Sequence, residues 1–234
     1  MINFYKTLKV SKPLVITGFH SFGSVGTLAA QYLRDKLNAE EVGFLEVENL
    51  PSTALLIKGE IVYPIRVFYA KEKNLVIFES ELPLPQNVSK AIAEDIANFA
   101  QEKRAKAVVC LEGLAVKGEP TQSNVYVIFN ERKLSTSLKG MKILDTGLIF
   151  GLSADILLKC KARRIPGICI MAEAYSQFPD GKAAANVLGT LGKLFKIPID
   201  VEPLIRESEV FEKKMLEIVK RAREFEKRPP KIYG

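Results

Sequence analysis

The chain has 234 residues and a mass of 26.0 kDa, which suits one large domain or one domain with an appendage. Apolar residues make up 47% of it, so a core can form without disulfide or metal staples. No apolar run approaches the ~20 residues of a membrane span, and the first residues lack a signal-peptide pattern. We expect a cytoplasmic protein without a membrane partner.

The formal net charge is +7, and one tight basic cluster lies within residues 159–164. It consists of Lys159, Lys161, Arg163 and Arg164. A nucleic-acid footprint would interleave such a cluster with aromatic residues on one face, and this cluster contains none. The pattern therefore favours an acidic protein partner over nucleic acid.

Three cysteines occur in apolar stretches, and their spacing matches no metal site. They are Cys110, Cys160 and Cys169. This usage predicts buried free thiols in a reducing compartment.

Short apolar runs and helical periods alternate along the first half of the chain. A strand at 14–18 precedes a helix at about 24–37, and strands follow at 42–47, 54–58, 61–69 and 75–79. Hairpin patterns at 58–60 and 71–74 join the last three strands.

The second half continues the alternation. An amphipathic helix contains Val88, Ile92, Ile96 and Phe99 on one face. Strands follow at 107–111, 125–129, 142–144 and 167–171, with helices at 151–163 and 182–195. This order predicts an α/β fold with a mainly parallel sheet covered on both faces.

The last thirty residues differ from the rest. Apolar residues at 211, 215, 218, 222 and 225 recur at four-three-four-three spacing, which is typical of a helix with a narrow apolar seam. Pro229 and Pro230 then end the helix and hold the chain extended. We therefore predict an α/β domain at 1–203, an amphipathic helix at 204–228 and a flexible docking tail at 229–234.

A glycine-rich loop at 18–26 separates the first buried strand from its helix. Its glycine spacing fits neither a P-loop nor a dinucleotide-binding loop, so a tight turn with close helix packing is the favoured interpretation. His20, the single histidine, lies in this loop, with Ser21 and Ser24 nearby. No complete catalytic motif surrounds it.

Three glutamates end predicted strands, at Glu79, Glu112 and Glu173. Ligands of open parallel sheets bind outside the carboxyl ends of the strands. If the three strands are neighbours, the carboxylates could converge into an acid–base or metal site. This leaves a small-molecule hydrolase or phosphorylase as the alternative function, although we expect no enzyme and no cofactor.

The end of the sequence reads Ile232-Tyr233-Gly234. An apolar side chain, a tyrosine and a free carboxylate together form a three-point docking peptide. The isoleucine can fill an apolar pocket, and the tyrosine ring can pack while its hydroxyl forms a hydrogen bond. The carboxylate can pair with a lysine or with backbone donors. We therefore predict a partner-binding site at these three residues.

The sequence resembles the archaeal branch of the proteasome assembly chaperone family. The matching segments run from about Leu14 to Ser208, and their order carries the resemblance. They are Gly18-Phe19, 23–33, Glu81-Leu82-Pro83, 147–153, Leu157-Leu158, 182–185, Val187-Leu188, and Ile199-Asp200-Val201 with Leu204.

The resemblance implies a three-layer α/β/α, phosphorylase/hydrolase-like domain that forms homo-oligomers and binds proteasome α subunits. Family members with a hydrophobic–Tyr–any terminus insert it between α subunits to guide assembly or open the gate. That motif falls on Ile232, Tyr233 and Gly234. Two departures from the family pattern are His20-Ser21 after the first Gly-Phe, and Pro179-Asp180-Gly181 before the alanine-rich helix.

Overall fold

The computed structural model describes residues 1–116, 123–131, 141–174 and 178–209. The helices of this part are α1 Val25–Lys36, α2 Ser89–Glu102, α3 Gly151–Ala162, α4 Gly181–Phe195 and α5, which covers 202–209. The strands are β1 Ile2–Phe4, β2 Leu14–Gly18, β3 Glu40–Leu45, β4 Leu55–Ile57, β5 Glu60–Val62, β6 Ile65–Ala70, β7 Leu75–Ser80, β8 Ala107–Ala115, β9 Val125–Phe129, β10 Lys142–Ile143 and β11 Gly167–Ala174.

In the described part of the chain, nine strands form one sheet in the order β1-β3-β6-β7-β2-β8-β11-β9-β10. The pairs β7–β2, β2–β8, β8–β11 and β9–β10 are parallel. The pairs β1–β3, β3–β6, β6–β7 and β11–β9 are antiparallel. The α/β class is confirmed, but the prediction of a mainly parallel sheet is not, because the sheet is mixed.

A short connection explains why one of these pairs, β6–β7, is antiparallel. The turn at 71–74 joins β6 to β7 and ends at Asn74 in the left-handed conformation, with φ of 50°. A parallel pair needs a crossover of a dozen residues or more, and a turn this short therefore leaves an antiparallel pair. The finer three-layer, phosphorylase/hydrolase-like assignment stays a prediction.

The predicted strand at 61–69 is two strands in the structure. β5 ends at Val62 and β6 begins at Ile65, with Pro64 between them. Proline has no N–H for the strand ladder, so the pairing changes there. β5 pairs with β4 in a separate two-stranded hairpin, as the pattern at 58–60 predicts, whereas β6 enters the large sheet. The short strand β1 has no counterpart among the predicted elements.

Side-chain alternation along the central strands divides the core into two clusters. Leu14 and Ile16 of β2 lie in the cluster that holds the apolar faces of α1 and α4. Val15 lies in the other cluster, with the apolar faces of α2 and α3. Successive strand residues point to opposite faces, so helices cover both sides of the sheet.

Helix α5 begins at residue 202, two residues before the predicted boundary. Leu204 is buried against the α1/α4 cluster, which anchors this first turn to the body. The remainder of the predicted helix and the predicted docking tail lie outside the described residues. Within the described ranges, no helix is long and apolar enough to cross a membrane.

The loop after β2 allows a close backbone approach. A Cβ atom at Gly26 would lie 2.4 Å from the Phe19 carbonyl oxygen and 2.6 Å from that of Leu111. A Cβ at Gly18 would lie 2.1 Å from the Ala30 Cβ. These contacts confirm that tight turning and close helix packing explain the glycines.

We predict opposite effects on stability for two glycine-to-alanine substitutions. Gly26→Ala lowers the free energy of unfolding by about 2–3 kcal/mol, because backbone must move to admit the methyl group. Gly189→Ala raises it by about 0.5–1 kcal/mol, because this position is inside α4 and, apart from the helix's own backbone, no atom of the described residues lies within 4 Å of the place that the methyl group would take. Denaturant unfolding of both variants measures this, and equal effects would contradict the packing account.

Candidate functional site

The three predicted strand-end glutamates do not share a site. Glu79 lies on the same face of the sheet as Leu75 and Ile77, toward α1. Glu112 follows Val108 and Cys110 on the opposite face, where it contacts α3. The strands β7 and β8 both flank β2, but side-chain alternation sends the two carboxylates to opposite sides.

Glu79 is the centre of a buried ion cluster. Its Oε1 atom accepts hydrogen bonds from Arg34 and, at 3.4 Å, from Arg66. Arg66 also pairs with Glu81 at 2.6 Å and with Glu41 at 3.5 Å. The two guanidinium groups lie 5.0 and 5.1 Å from the centre of the Phe68 ring. This cluster ties α1 and strands β3, β6 and β7 together.

Glu79 is 1% exposed, and its Oε2 atom has no hydrogen-bond partner among the described residues. Burial raises the pKa of Glu79 to about 7, although the charges of Arg34 and Arg66 act in the opposite direction. The contacts of this carboxylate are those of a structural ion pair.

Glu173 is bound by β9 and the residues before it. Its Oε2 atom accepts hydrogen bonds from the Asn124 backbone and side-chain amides at 3.1 and 2.8 Å. Its Oε1 atom accepts one from the Tyr126 hydroxyl at 3.0 Å. None of these partners donates to Glu79 or Glu112 in the described hydrogen bonds, so the observed role of Glu173 is to join β9 to β11.

Glu112 lies in a cavity of about 480 Å³ at the carboxyl ends of β2 and β8. Ser153 of α3 donates a hydrogen bond to Oε2 at 2.6 Å, and the Gly113 amide donates one to Oε1 at 3.2 Å. The nearby Ser21 hydroxyl acts in the same direction and lowers the pKa of the carboxyl group. Burial raises the pKa of Glu112, whereas these three groups favour its charged form.

The cavity is bounded by the loop after β2, the start of α2 and the start of α3. Its lining includes the aromatic rings of Phe19, Phe22 and Phe150, and further members are His20, Ser21, Leu84, Pro85, Gln86, Ser89, Ile92, Gly151, Leu152 and Ser153. Phe22 is 54% exposed and Phe150 is 77% exposed, so both stand at the rim. This volume lies within the range of small-molecule sites.

His20, Ser21 and Ser89 line the same cavity, but His20 forms no catalytic pair with either serine in the described contacts. The Ser21 hydroxyl oxygen accepts hydrogen bonds from the backbone amides of Gly26 and Gly113, both at 3.2 Å. The Ser89 hydroxyl donates to Asp155 at 2.5 Å. Within the described part of the chain, His20 makes no hydrogen bond to either serine or to Glu112. The serine–histidine contact that nucleophilic catalysis uses is not formed there.

The remaining predicted features have structural explanations. Lys159 and Arg163 of the basic cluster pair with Glu94 of α2, the former at 2.7 Å, so half of the cluster serves helix packing. The three cysteines are free and buried, as predicted. Burial raises the pKa of Cys110 and Cys160 to about 12, which leaves these thiols protonated. Residues 232–234 lie outside the described residues.

A mixed nine-stranded sheet with helices on both faces and a strand-end cavity defines the class of this α/β protein. The chain belongs to the PAC2 family, whose sequence profile matches residues 15–219. Two uncharacterized proteins of Methanocaldococcus jannaschii are each 30% identical to it. One aligns over 213 residues, 90% of this chain and 87% of its own. The other aligns over 222 residues, which are 91% of this chain and 84% of that relative.

Solved structures of the same fold confirm the resemblance found in the sequence. Pyrococcus furiosus PbaA, described as an archaeal homolog of proteasome-assembly chaperone, is 26% identical with a TM-score of 0.86. The match covers 96% of this chain and 94% of PbaA. Pyrococcus furiosus PbaB, described as an archaeal proteasome activator, has a TM-score of 0.83 over 93% and 98% of the two chains. At 21% identity, PbaB shows the fold alone.

Sequence reasoning found Glu112 and the glycine loop but missed the aromatic rim. Phe19 and Phe22 lie in the loop, whereas Phe150 comes from the start of α3, more than 120 positions later. The sequence did offer one indication of the rim, because a glycine follows each of the two exposed rings, at Gly23 and Gly151. In the structure these glycines have positive φ angles of 60° and 73°. Only the fold brings these segments together.

We predict that Glu79→Gln changes the pH dependence of stability. A carboxyl group whose folded pKa is raised from 4.5 to about 7 favours folding below pH 4.5, and this contribution is lost as the pH rises through 7. The free energy of unfolding of the variant minus that of the wild type should therefore rise by about 2–3 kcal/mol between pH 4.5 and 8. Urea unfolding across this range measures the difference.

The exposed Glu72→Gln substitution is the matched control and should give a flat difference over the same range. A flat difference for Glu79→Gln as well would mean that Arg34 and Arg66 keep the carboxylate charged throughout.

Proposed function

We propose that the chain is a proteasome-binding factor, an assembly chaperone or an ATP-independent activator, located in the cytoplasm. The observation that carries this proposal is the similarity to PbaA over 96% of the chain at 26% identity, together with the final Ile232-Tyr233-Gly234. The proposed partner is the proteasome core particle, and the proposed site lies between its α subunits.

The three tail residues supply three different contacts. Ile232 offers apolar surface, and Tyr233 offers a ring with a hydrogen-bonding hydroxyl. A free carboxylate on Gly234 is ionised at neutral pH and can pair with a lysine ammonium group or backbone donors. In this proposal, Pro229 and Pro230 serve as an extended spacer between the body and these groups.

Homo-oligomerisation is part of the proposed mechanism. A single tripeptide is a weak ligand, because it has few atoms and an ordering cost. Several tails on one oligomer gain a factor of ~10²–10⁴ in avidity when their spacing fits the binding sites. The β4–β5 hairpin supports such association, since its cross-strand neighbours Leu56 and Ile61 are 73% and 80% exposed. A two-stranded hairpin alone in water is marginally stable.

The alternative, a hydrolase or phosphorylase that uses strand-end glutamates, loses its main argument. It required Glu79, Glu112 and Glu173 to face one another, but Glu79 lies on the opposite face of the sheet from Glu112, and Glu173 is held by its own donors. The two arginines on Glu79 and the strand β9 donors on Glu173 give both carboxylates structural duties.

We predict that deleting Ile232 to Gly234 abolishes binding to purified proteasome core and leaves the oligomer intact. Tyr233→Ala should weaken binding at least tenfold, because the ring and hydroxyl are lost together. Lys231→Ala, which changes the neighbouring residue, is the control and should bind as the wild type does. Surface-immobilised core and native mass spectrometry measure the two properties. Full binding by the deletion variant would refute tail docking.

We also predict that the double variant Leu56→Ser/Ile61→Ser lowers the oligomer mass. It removes the exposed apolar pair while retaining Gly59, whose φ of 87° suits the hairpin turn. The matched double variant Leu148→Ser/Leu158→Ser changes two similarly exposed leucines elsewhere and should keep the wild-type mass. Light scattering after gel filtration distinguishes them, and an unchanged mass for both variants would place the interface elsewhere.

A further inference from the structure

The Glu112 cavity has a charge that contrasts with the rest of the molecule. The chain carries 34 basic and 27 acidic side chains, for a formal net charge of +7. Among the described residues that line the cavity, none is Lys or Arg, and Glu112 is the carboxylate. A ligand that enters therefore meets negative charge inside an otherwise basic protein.

The carboxylate retains capacity for a ligand. Glu112 is half-buried, its hydrogen-bond donors are Ser153 and the Gly113 amide, and the Ser21 hydroxyl lies nearby. An ionised carboxylate has about four acceptor positions, so these groups leave room for another donor. Its position at the carboxyl ends of parallel strands β2 and β8 is where α/β sheets hold ligands.

The resident carboxylate, rather than the start of α3, decides the sign of the ligand. A helix N-terminus favours a negative charge, and Ser153, the third residue of α3, already donates to Glu112. A second anion would be repelled by this resident carboxylate. A cation gains from it.

The rim adds a second preference. Phe19, Phe22 and Phe150 line the cavity from two separate segments, and the latter two rings are largely exposed. The faces of aromatic rings attract ammonium and guanidinium groups, and several such rings around a carboxylate form a recognised kind of site for organic cations. The alkyl stem of such a cation would pack against the same rings.

From this geometry we infer that the cavity binds an organic cation, an ammonium or guanidinium group on an alkyl chain, through Glu112 and the three phenylalanine rings. The group can belong to a free polyamine or to a Lys or Arg side chain of a macromolecule. The inference is independent of the proposed function, because the cavity and residues 232–234 are separate parts of the chain.

The test is an NMR titration of the full chain with N-acetyl-lysine methylamide and with its norleucine analogue, which lacks the ammonium group. We expect the lysine probe to shift the Gly113 amide and to bind at least tenfold more tightly than the norleucine probe. Equal binding of both probes, or shifts away from the cavity, would overturn the inference.

Substitutions identify the groups responsible. Glu112→Gln keeps the shape and should remove the tenfold preference for the lysine probe. Phe150→Ala, at a largely exposed position, should weaken lysine-probe binding by roughly three- to tenfold. Leu158→Ala, on the same helix and 64% exposed but outside the cavity lining, is the control and should not change binding. If Phe150→Ala binds like the control, the aromatic contribution is refuted.

Two further probes distinguish the source of the cation. Spermidine that binds at least tenfold more tightly than the lysine probe indicates a free polyamine, and the reverse order indicates a side chain of a macromolecular partner. Either result supports a cation site. Tighter binding of n-butyrate than of n-butylammonium would overturn it.

Discussion

The backbone contact between the loop after β2 and the end of β8 organises both the fold and the cavity. Gly26 lies against the carbonyl groups of Phe19 and Leu111, and a Cβ at Gly113 would meet the Phe22 carbonyl oxygen at 2.0 Å. The Ser21 hydroxyl oxygen accepts hydrogen bonds from the amides of Gly26 and Gly113 and so joins the same two segments. This contact holds α1 on the central strands and places the aromatic loop beside Glu112.

Side-chain alternation then decides which polar groups can act together. It sends Glu79 to the face of α1, where two arginines and Phe68 enclose it, and Glu112 to the face of α3, where a cavity remains open. Two glutamates at the ends of strands that both flank β2 therefore have different roles. One is the centre of a buried ion cluster. The other is half-buried and accessible to a ligand.

Much of the fold follows from local pattern. The four helices α1 to α4 and the hairpins at 58–60 and 71–74 agree with periodicity and turn residues. The mixture of parallel and antiparallel pairs does not follow from local pattern. The antiparallel pairing of β9 with β11, for example, depends on contacts between segments that are distant in sequence. Convergence of the three glutamates, which the sequence left open as an alternative, does not occur, for a related reason. Strand ends can be read from a sequence, but a shift of one position moves a side chain to the other face.

The molecule thus combines a body with a cavity for which we infer a cationic ligand and a C-terminal segment proposed to bind the proteasome core. Cryo-electron microscopy of the full chain bound to the core particle tests this division of roles most directly. The account predicts density for Ile232, Tyr233 and Gly234 in pockets between neighbouring α subunits, with the body held outside the ring. Empty pockets, with the body itself bound to the α ring through the sheet or helices, would contradict it.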